Sequence, residues 1–256
     1  MDIRLKGKRA LVLGGTRGIG RAIVETLAGE GAAVGLCART PAQVEEVVTA
    51  LKHAGARAIG AAVDMGDHGA LADWVAQAAR DLGGIDILIS NASALVIGNT
   101  KEAWQSCLNI DVLGAATAFE AAKPFLSEAA KAHDDAAAVF VSSVSAAETE
   151  APQAYGAMKA ALIHLAKGLA KENAKHKIRV NVVSPGTIYF KGGVWEMIEQ
   201  NMPDRYKGAL RRNPLGRMGS PQEIADMTVF LASPISSFTT GANVIVDGGI
   251  TGRVNF

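Results

Sequence analysis

Tyr155 and Lys159 stand four residues apart in the run Tyr155-Gly156-Ala157-Met158-Lys159. On a helix that spacing puts both side chains on one face, one turn apart. A free phenol releases its proton at about pH 10, and a neighbouring ammonium favours the phenolate. Upstream, an apolar run ends in Ser142-Ser143, where a hydroxyl can hold a substrate oxygen. Far upstream lies Gly14-Gly15-Thr16-Arg17-Gly18-Ile19-Gly20, a stretch of the kind that wraps phosphates. A phenol that exchanges a proton, a hydroxyl that holds an oxygen and a nucleotide that carries hydride are the parts of a carbonyl reductase or alcohol dehydrogenase.

These residues need elements to position them. Short apolar runs fall at 10–13, 33–37, 58–63, 85–89, 136–141, 179–183 and 243–246. Each suits a strand buried on both faces. Between them the apolar residues recur at helical spacing, as in Ile19, Ile23 and Leu27, or Leu71, Trp74, Val75 and Ala78. Leu162, Leu165, Ala166 and Leu169 continue the helix that carries Tyr155 and Lys159. The alternation predicts right-handed βαβ units. The fold class is α/β: a Rossmann-like, doubly wound, mostly parallel seven-stranded sheet with helices on both faces. No linker or composition shift divides the chain, so residues 1–256 read as a single dinucleotide-binding domain. Residues 187–217, with helical patches at 195–200 and 204–210, follow a strand end and read as an insertion covering the substrate.

The glycine loop lies between the first strand and the first helix. Gly14, Gly18 and Gly20 permit the close approach that a pyrophosphate needs, although a tight turn without ligand uses the same residues. A nucleotide with a free ribose hydroxyl usually meets Asp or Glu about 20 residues after the loop. Here that region reads Cys37-Ala38-Arg39-Thr40. Arg39 and Arg17 can grip a 2′-phosphate instead. Either alone reads equally as a solvated surface arginine, but their joint placement and the missing acid favour NADP(H). Asp64, after the third strand, borders the adenine or caps the strand end.

The composition narrows the alternatives. The chain has 256 residues, 49% of them apolar, and a net charge of +1, which leaves no electrostatic footprint for nucleic acid. Two cysteines, Cys37 and Cys107, are too few for a disulfide framework. The five histidines are scattered without metal-ligand spacing, so no metal site is expected. No signal pattern or membrane span is evident, and a cytoplasmic protein is the expectation.

Taken in order, these motifs resemble the short-chain dehydrogenase/reductase family in its compact single-domain branch, including its 3-oxoacyl-[acyl-carrier-protein] reductase-like members. The resemblance rests on Gly14, Gly18 and Gly20, on Asn91-Ala92, on Ser143 with Tyr155 and Lys159, and on Pro185-Gly186. The stretches from Asn213 to Arg217 and from Val246 to Gly249 add to it. The likeness implies that Tyr155 is the acid or base at the substrate oxygen, that Lys159 assists it and binds the nicotinamide ribose, and that Ser143 orients the substrate. It implies cofactor contacts at Gly14, Thr16, Arg17, Gly18, Ile19, Gly20, Arg39, Asp64, Asn91, Ala92, Tyr155, Lys159, Pro185, Gly186 and Ile188. Three residues between the tyrosine and the lysine fit carbonyl reduction; related enoyl reductases use a wider gap. The family distance from Tyr155 points to Ser142, whereas strand register points to Ser143, which we prefer. The family often forms tetramers, and a homo-oligomer is expected here.

Three positions depart from the family pattern. Leu13 stands where threonine is usual, Ser93 replaces a glycine, and Asp111 occupies the place of a water-holding asparagine. Asp111 either joins the catalytic set or is a satisfied polar residue at a helix kink. The insertion carries Ile188, Tyr189, Phe190, Val194, Trp195, Met197, Ile198, Met202, Tyr206 and Leu210, which form an apolar substrate wall or pack the insertion onto the body. Glu148, Glu150 and Gln153 offer polar contacts or a solvated rim. The expected substrate is a small apolar ketone, aldehyde or alcohol. A 3-oxoacyl thioester is the alternative, and an NADP-binding regulator with little turnover is a rival of another class.

Overall fold

Alternating apolar strands and amphipathic helices give the layered arrangement that this patterning requires. The computed structural model describes residues 2–149, 151–252 and 254. Glu150, named above as a candidate polar contact, lies outside the described residues. The strands are β1 (Arg9–Leu13), β2 (Ala33–Ala38), β3 (Ala58–Ala62), β4 (Ile87–Ser90), β5 (Ala136–Val141), β6 (Ile178–Pro185) and β7 (Asn243–Val246). All pair in parallel, in the order β3-β2-β1-β4-β5-β6-β7. The order reverses between β1 and β4, and a crevice opens there at the carboxyl ends of the strands.

Helices α1 (Gly18–Gly29), α2 (Pro41–His53), α3 (His68–Leu82), α4 (Lys101–Cys107), α5 (Gly114–His133) and α6 (Ala154–Asn173) follow the first five strands. Helices α7 (Val194–Asn201), α8 (Pro203–Arg212) and α9 (Pro221–Ala232) lie between β6 and β7. One core layer joins α1, α2 and α9 to the sheet through residues such as Ile23, Leu27, Val47 and Val229. The other joins α3, α5 and α6 through Leu71, Val75, Phe119 and Leu162. Apolar area removed from water on both faces, at about 25 cal/mol per Å², holds the three layers together.

The expectation that every strand is buried on both faces needs correction at the edges. In β3 only Ala58 is buried and the following residues alternate between half-buried and exposed, and β7 is half-buried throughout. Edge strands have a neighbour on one side only, so water reaches them.

Two details position the chemistry. Between α4 and α5 the chain makes a π-helical turn, Leu108–Leu113, which carries Asp111. Such a turn inserts an extra residue into the helical ladder and redirects the side chains near it. The segment between β6 and α9 is closed at its base by a parallel bridge between Ile188 and Gly219. There the Gly219 N–H donates to Thr187 O, and the Tyr189 N–H donates to Gly219 O, both at 2.9 Å.

Candidate active site

The glycine loop is shaped by close contacts. Gly14 has φ +79°, and a Cβ there would lie 2.9 Å from the Ala92 backbone, so glycine alone fits. Gly20 is tighter still: its Cβ would meet Gly14 O at 1.9 Å. The Asn91 side chain donates from Nδ2 to Gly14 O at 2.9 Å and ties the end of β4 to the loop after β1. The N–H groups of Gly14 and Gly15 both donate to Cys37 O. Burial pushes the Cys37 thiol up to about 12, so it serves as wall rather than nucleophile.

A cavity of about 420 Å³ runs along the carboxyl ends of the strands. Its lining includes Gly14, Thr16, Arg17, Ile19, Arg39, Asp64, Asn91, Ala92, Ser143, Tyr155, Lys159, Pro185, Gly186 and Ile188. Most of the residues singled out from the sequence thus come together in one crevice. Gly18, Gly20 and Asp111 lie behind the lining. Gly18 sits beneath the Phe190 ring, where a Cβ would approach Cζ to 2.5 Å. Arg17 and Arg39 are exposed and make no ion pair among the described residues, so both guanidinium groups are available to an anion. The Asp64 carboxylate accepts the Gly66 N–H at 2.8 Å, so it caps a turn as well as bordering the cavity.

Tyr155 and Lys159 lie on the first turns of α6, with Lys159 Nζ 5.7 Å from the Tyr155 ring centre. Lys159 is buried. Its ammonium donates to Val141 O at 3.0 Å and lies 3.0 Å from Asp111 Oδ1. The other carboxylate oxygen, Oδ2, accepts the Ala94 N–H at 3.0 Å. Asn109, two residues from Asp111, reaches a different place and donates to Gly66 O.

The two serines differ in their commitments. Ser142 is buried, and its hydroxyl donates to Lys159 O at 2.9 Å. Ser143 accepts the Ser145 N–H at 3.1 Å as the cap of a short 3₁₀ turn. Its own hydroxyl proton is therefore left to donate into the cavity.

The insertion contributes only part of the expected wall. Ile188, Phe190, Val194 and Trp195 line the cavity. Tyr189 and Tyr206 do not: they pack edge to face at 6.1 Å, and Tyr189 Oη donates to Glu199. Sequence reasoning missed Thr40, Gln43, Met65, Leu95 and Ile110, which also line the cavity. Leu95 had a visible signal only as part of an apolar loop. Its φ of +52° is a strained conformation for leucine, of the kind that gathers at functional sites.

The model of a family described as Enoyl-(Acyl carrier protein) reductase matches residues 14–251. Isoepoxydon dehydrogenase patN of Aspergillus clavatus is 40% identical over 251 residues, covering 96% of this chain and 95% of that protein. The 3-oxoacyl-[acyl-carrier-protein] reductase FabG of Chlamydia pneumoniae is 31% identical over 255 residues, covering 98% and 100%. Among solved structures, L-sorbose reductase from Gluconobacter frateurii, complexed with NADPH and L-sorbose, superposes with a TM-score of 0.89 at 31% identity, covering 99% of this chain and 100% of that one. With likeness along nearly its whole length and a seven-stranded parallel sheet that superposes closely on a solved relative, the chain belongs to the short-chain dehydrogenase/reductase family of oxidoreductases.

Proposed function

We propose that this protein interconverts a ketone or aldehyde and its alcohol, with NADP(H) as the hydride partner. The observation that carries the reading is the convergence of Ser143, Tyr155 and Lys159 on the crevice that also holds the glycine loop and two uncommitted arginines. The crevice fits the cofactor on its own terms. Gly14 and Gly20 leave no room for side chains, which brings backbone close to a pyrophosphate at the N-terminus of α1. Arg17 and Arg39 suit a 2′-phosphate, and no carboxylate stands at the end of β2 to repel it. The L-sorbose reductase bound to NADPH is consistent with that choice.

When bound, the nicotinamide supplies hydride to the carbonyl carbon or takes it from the alcohol carbon. Ser143 donates to the carbonyl oxygen and fixes its place. Tyr155 gives its phenolic proton to that oxygen as the carbon is reduced, and takes it back in the reverse direction. Lys159 stabilises the phenolate left behind. Asn91 holds the glycine loop against β4. The apolar side chains of Leu95, Phe190, Val194 and Trp195 shape the substrate end and exclude water. The family model is described as an enoyl reductase, but the three-residue gap between Tyr155 and Lys159 favours carbonyl chemistry. We further read the chain as one domain whose 187–217 segment covers the substrate, and as a homotetramer.

A 3-oxoacyl thioester is the second reading, supported by the full-length likeness to FabG. The test is NADPH oxidation with a panel of compact ketones, 3-oxoacyl thioesters and quinones. Turnover that Tyr155→Phe abolishes while NADPH binding persists supports the proposal. Binding of NADPH with no turnover on any member of the panel refutes it.

A further inference from the structure

The loop after β4 presents large apolar side chains to water. Leu95, Val96 and Ile97 stand in sequence, and Ile97 is 65% exposed. The backbone beneath them is nevertheless tied down. The Ala94 N–H donates to Asp111 Oδ2 at 3.0 Å, the Ala154 N–H donates to Gly98 O at 2.9 Å, and the Trp104 indole N–H donates to Asn99 Oδ1 at 2.9 Å. Ala94 and Tyr155 pack on one small core of Ala103, Cys107 and Ala154, which sets the loop beside the Tyr155 ring. Helix α7 presents a second apolar face. Val194 lines the cavity, and Met197, one turn further along the same side of the helix, is 53% exposed. Leu95 and Val194 both line the cavity, so the two faces continue its wall outward. Neither face offers a free charge. Residues 91–100 hold no ionisable side chain. Glu196 accepts the Gly192 N–H at 2.7 Å and Glu199 accepts the Tyr189 hydroxyl, so both carboxylates of α7 are committed. Lys191 is the single cation between Ile188 and Asp204, and it is not among the residues that line the cavity.

We propose that the substrate is an uncharged carbonyl compound with an extended apolar arm, and that Ile97 and Met197 are specificity-determining residues that the arm meets outside the crevice. The inference rests on the reading of the crevice as a carbonyl site. Contiguous apolar surface that opens from a cavity marks a ligand groove, and here it runs onto two separate elements. Leu95 is held at φ +52°, a conformation that disfavours leucine, and it stands where the cavity wall passes into the exposed ledge. With the carbonyl oxygen at Ser143 and Tyr155, an arm that leaves past Leu95 covers the ledge and is covered by it, and each methylene so placed removes apolar surface from water. A carboxylate or phosphate carried on the arm would give up hydration there without meeting a cation.

The test measures, by isothermal titration calorimetry, the binding of straight-chain methyl ketones from butanone to decanone to the protein loaded with NADP+. Kd is expected to fall about twofold per methylene, against about fourfold for complete burial, because one side of the arm stays wet. The oxo acid of decanone's length, which ends in a carboxylate, should bind at least about tenfold more weakly than decanone. Ile97→Ser and Met197→Ser should each cut the affinity ratio of decanone to butanone by about threefold or more. Both side chains are exposed, so neither change threatens the fold. A Kd that stays flat along the series, or an oxo acid that binds as tightly as decanone, overturns the inference, and turnover of the ketones would still uphold the carbonyl reading. A steep series in a protein that turns over no ketone supports the apolar groove and removes the carbonyl reading. If Ile97→Ser alters the sedimentation coefficient and leaves the series as steep as in wild type, the loop is a contact between copies and the inference is overturned.

Discussion

Gly20 gives the sharpest prediction, because its necessity comes from contact rather than from backbone angle. A Cβ there would lie 1.9 Å from Gly14 O and 2.5 Å from Asn91 Nδ2, the two atoms joined by the hydrogen bond that ties β4 to the glycine loop. Gly14 O is backbone and cannot swing away, and the Asn91 amide can do so only by giving up that bond. Gly20→Ala must therefore push the first turn of α1 off the loop or break the Asn91 bond. The lost hydrogen bond costs about 1 kcal/mol and overpacking about 1–3 kcal/mol, for a total of about 2–4 kcal/mol. For a chain of this size that lowers Tm by about 5–15 °C. NADPH binding should weaken at least tenfold, an order-of-magnitude effect expected from displacing the phosphate-facing N–H groups by about 1 Å. Gly29→Ala is the internal control. It lies at the end of the same helix with nothing within 4 Å, and should stabilise by about 0.5–1 kcal/mol. Differential scanning fluorimetry and a fluorescence titration with NADPH measure both variants. If Gly20→Ala melts within about 1 °C of wild type and binds NADPH equally, the contact argument is wrong.

The remaining predictions concern the crevice and the segment beneath it. Arg39→Asp should weaken NADPH binding far more than NADH binding; equal losses would remove the phosphate-grip argument. Ser143→Ala should reduce kcat by about a hundredfold or more, whereas Ser142→Ala, which frees only Lys159 O, should cost about 1 kcal/mol of stability and little rate. Comparable kcat losses in the two variants would contradict the assignment. The Glu223 carboxyl is lowered from 4.5 to about 2, first by its bond to Arg217 and then by the Ser220 N–H. Its folded value lies below its unfolded one, so the stability it contributes is present above about pH 4.5 and fades as pH falls toward 2. The pair is largely solvent-exposed, so screening holds this contribution to about 1 kcal/mol or less. Tm measured against pH should fall less steeply below pH 4.5 in Glu223→Gln than in wild type, and identical slopes would remove the linkage.

The strands and helices were legible because each carries its own period. The run at 136–141 coincides with β5, since a continuous apolar run of that length has few other solutions in a parallel sheet, and the β-branched residues of 243–246 mark β7. The crevice was legible because glycines mark close approach and the Tyr155–Lys159 spacing marks one helix face. What the sequence left open depends on direction and distance. Ser142 and Ser143 are adjacent in a strand end, and their different partners lie 17 residues away or within the next turn. Asp111 reaches Lys159 from a π-helical turn, and nothing in the residue types around it announces an extra residue in that ladder. Tyr189 and Tyr206 were indistinguishable from Phe190 and Trp195 as candidate wall, because apolar character does not say which side of a loop or short helix faces inward.

The bridge between Ile188 and Gly219 has a further consequence. It brings the two ends of a 187–219 excursion side by side at the rim of the sheet, so the chain enters and leaves at nearly one point. The entropy of closing such a loop grows only with the logarithm of its length, by about 0.6 kcal/mol per doubling. Helices α7 and α8 can thus be lengthened, shortened or exchanged for a different segment while β6, α9 and the paired Tyr155 and Lys159 keep their places. In evolutionary terms the excursion is a cassette plugged into a fixed socket: the segment that walls one end of the crevice can change without re-inventing the arrangement below it.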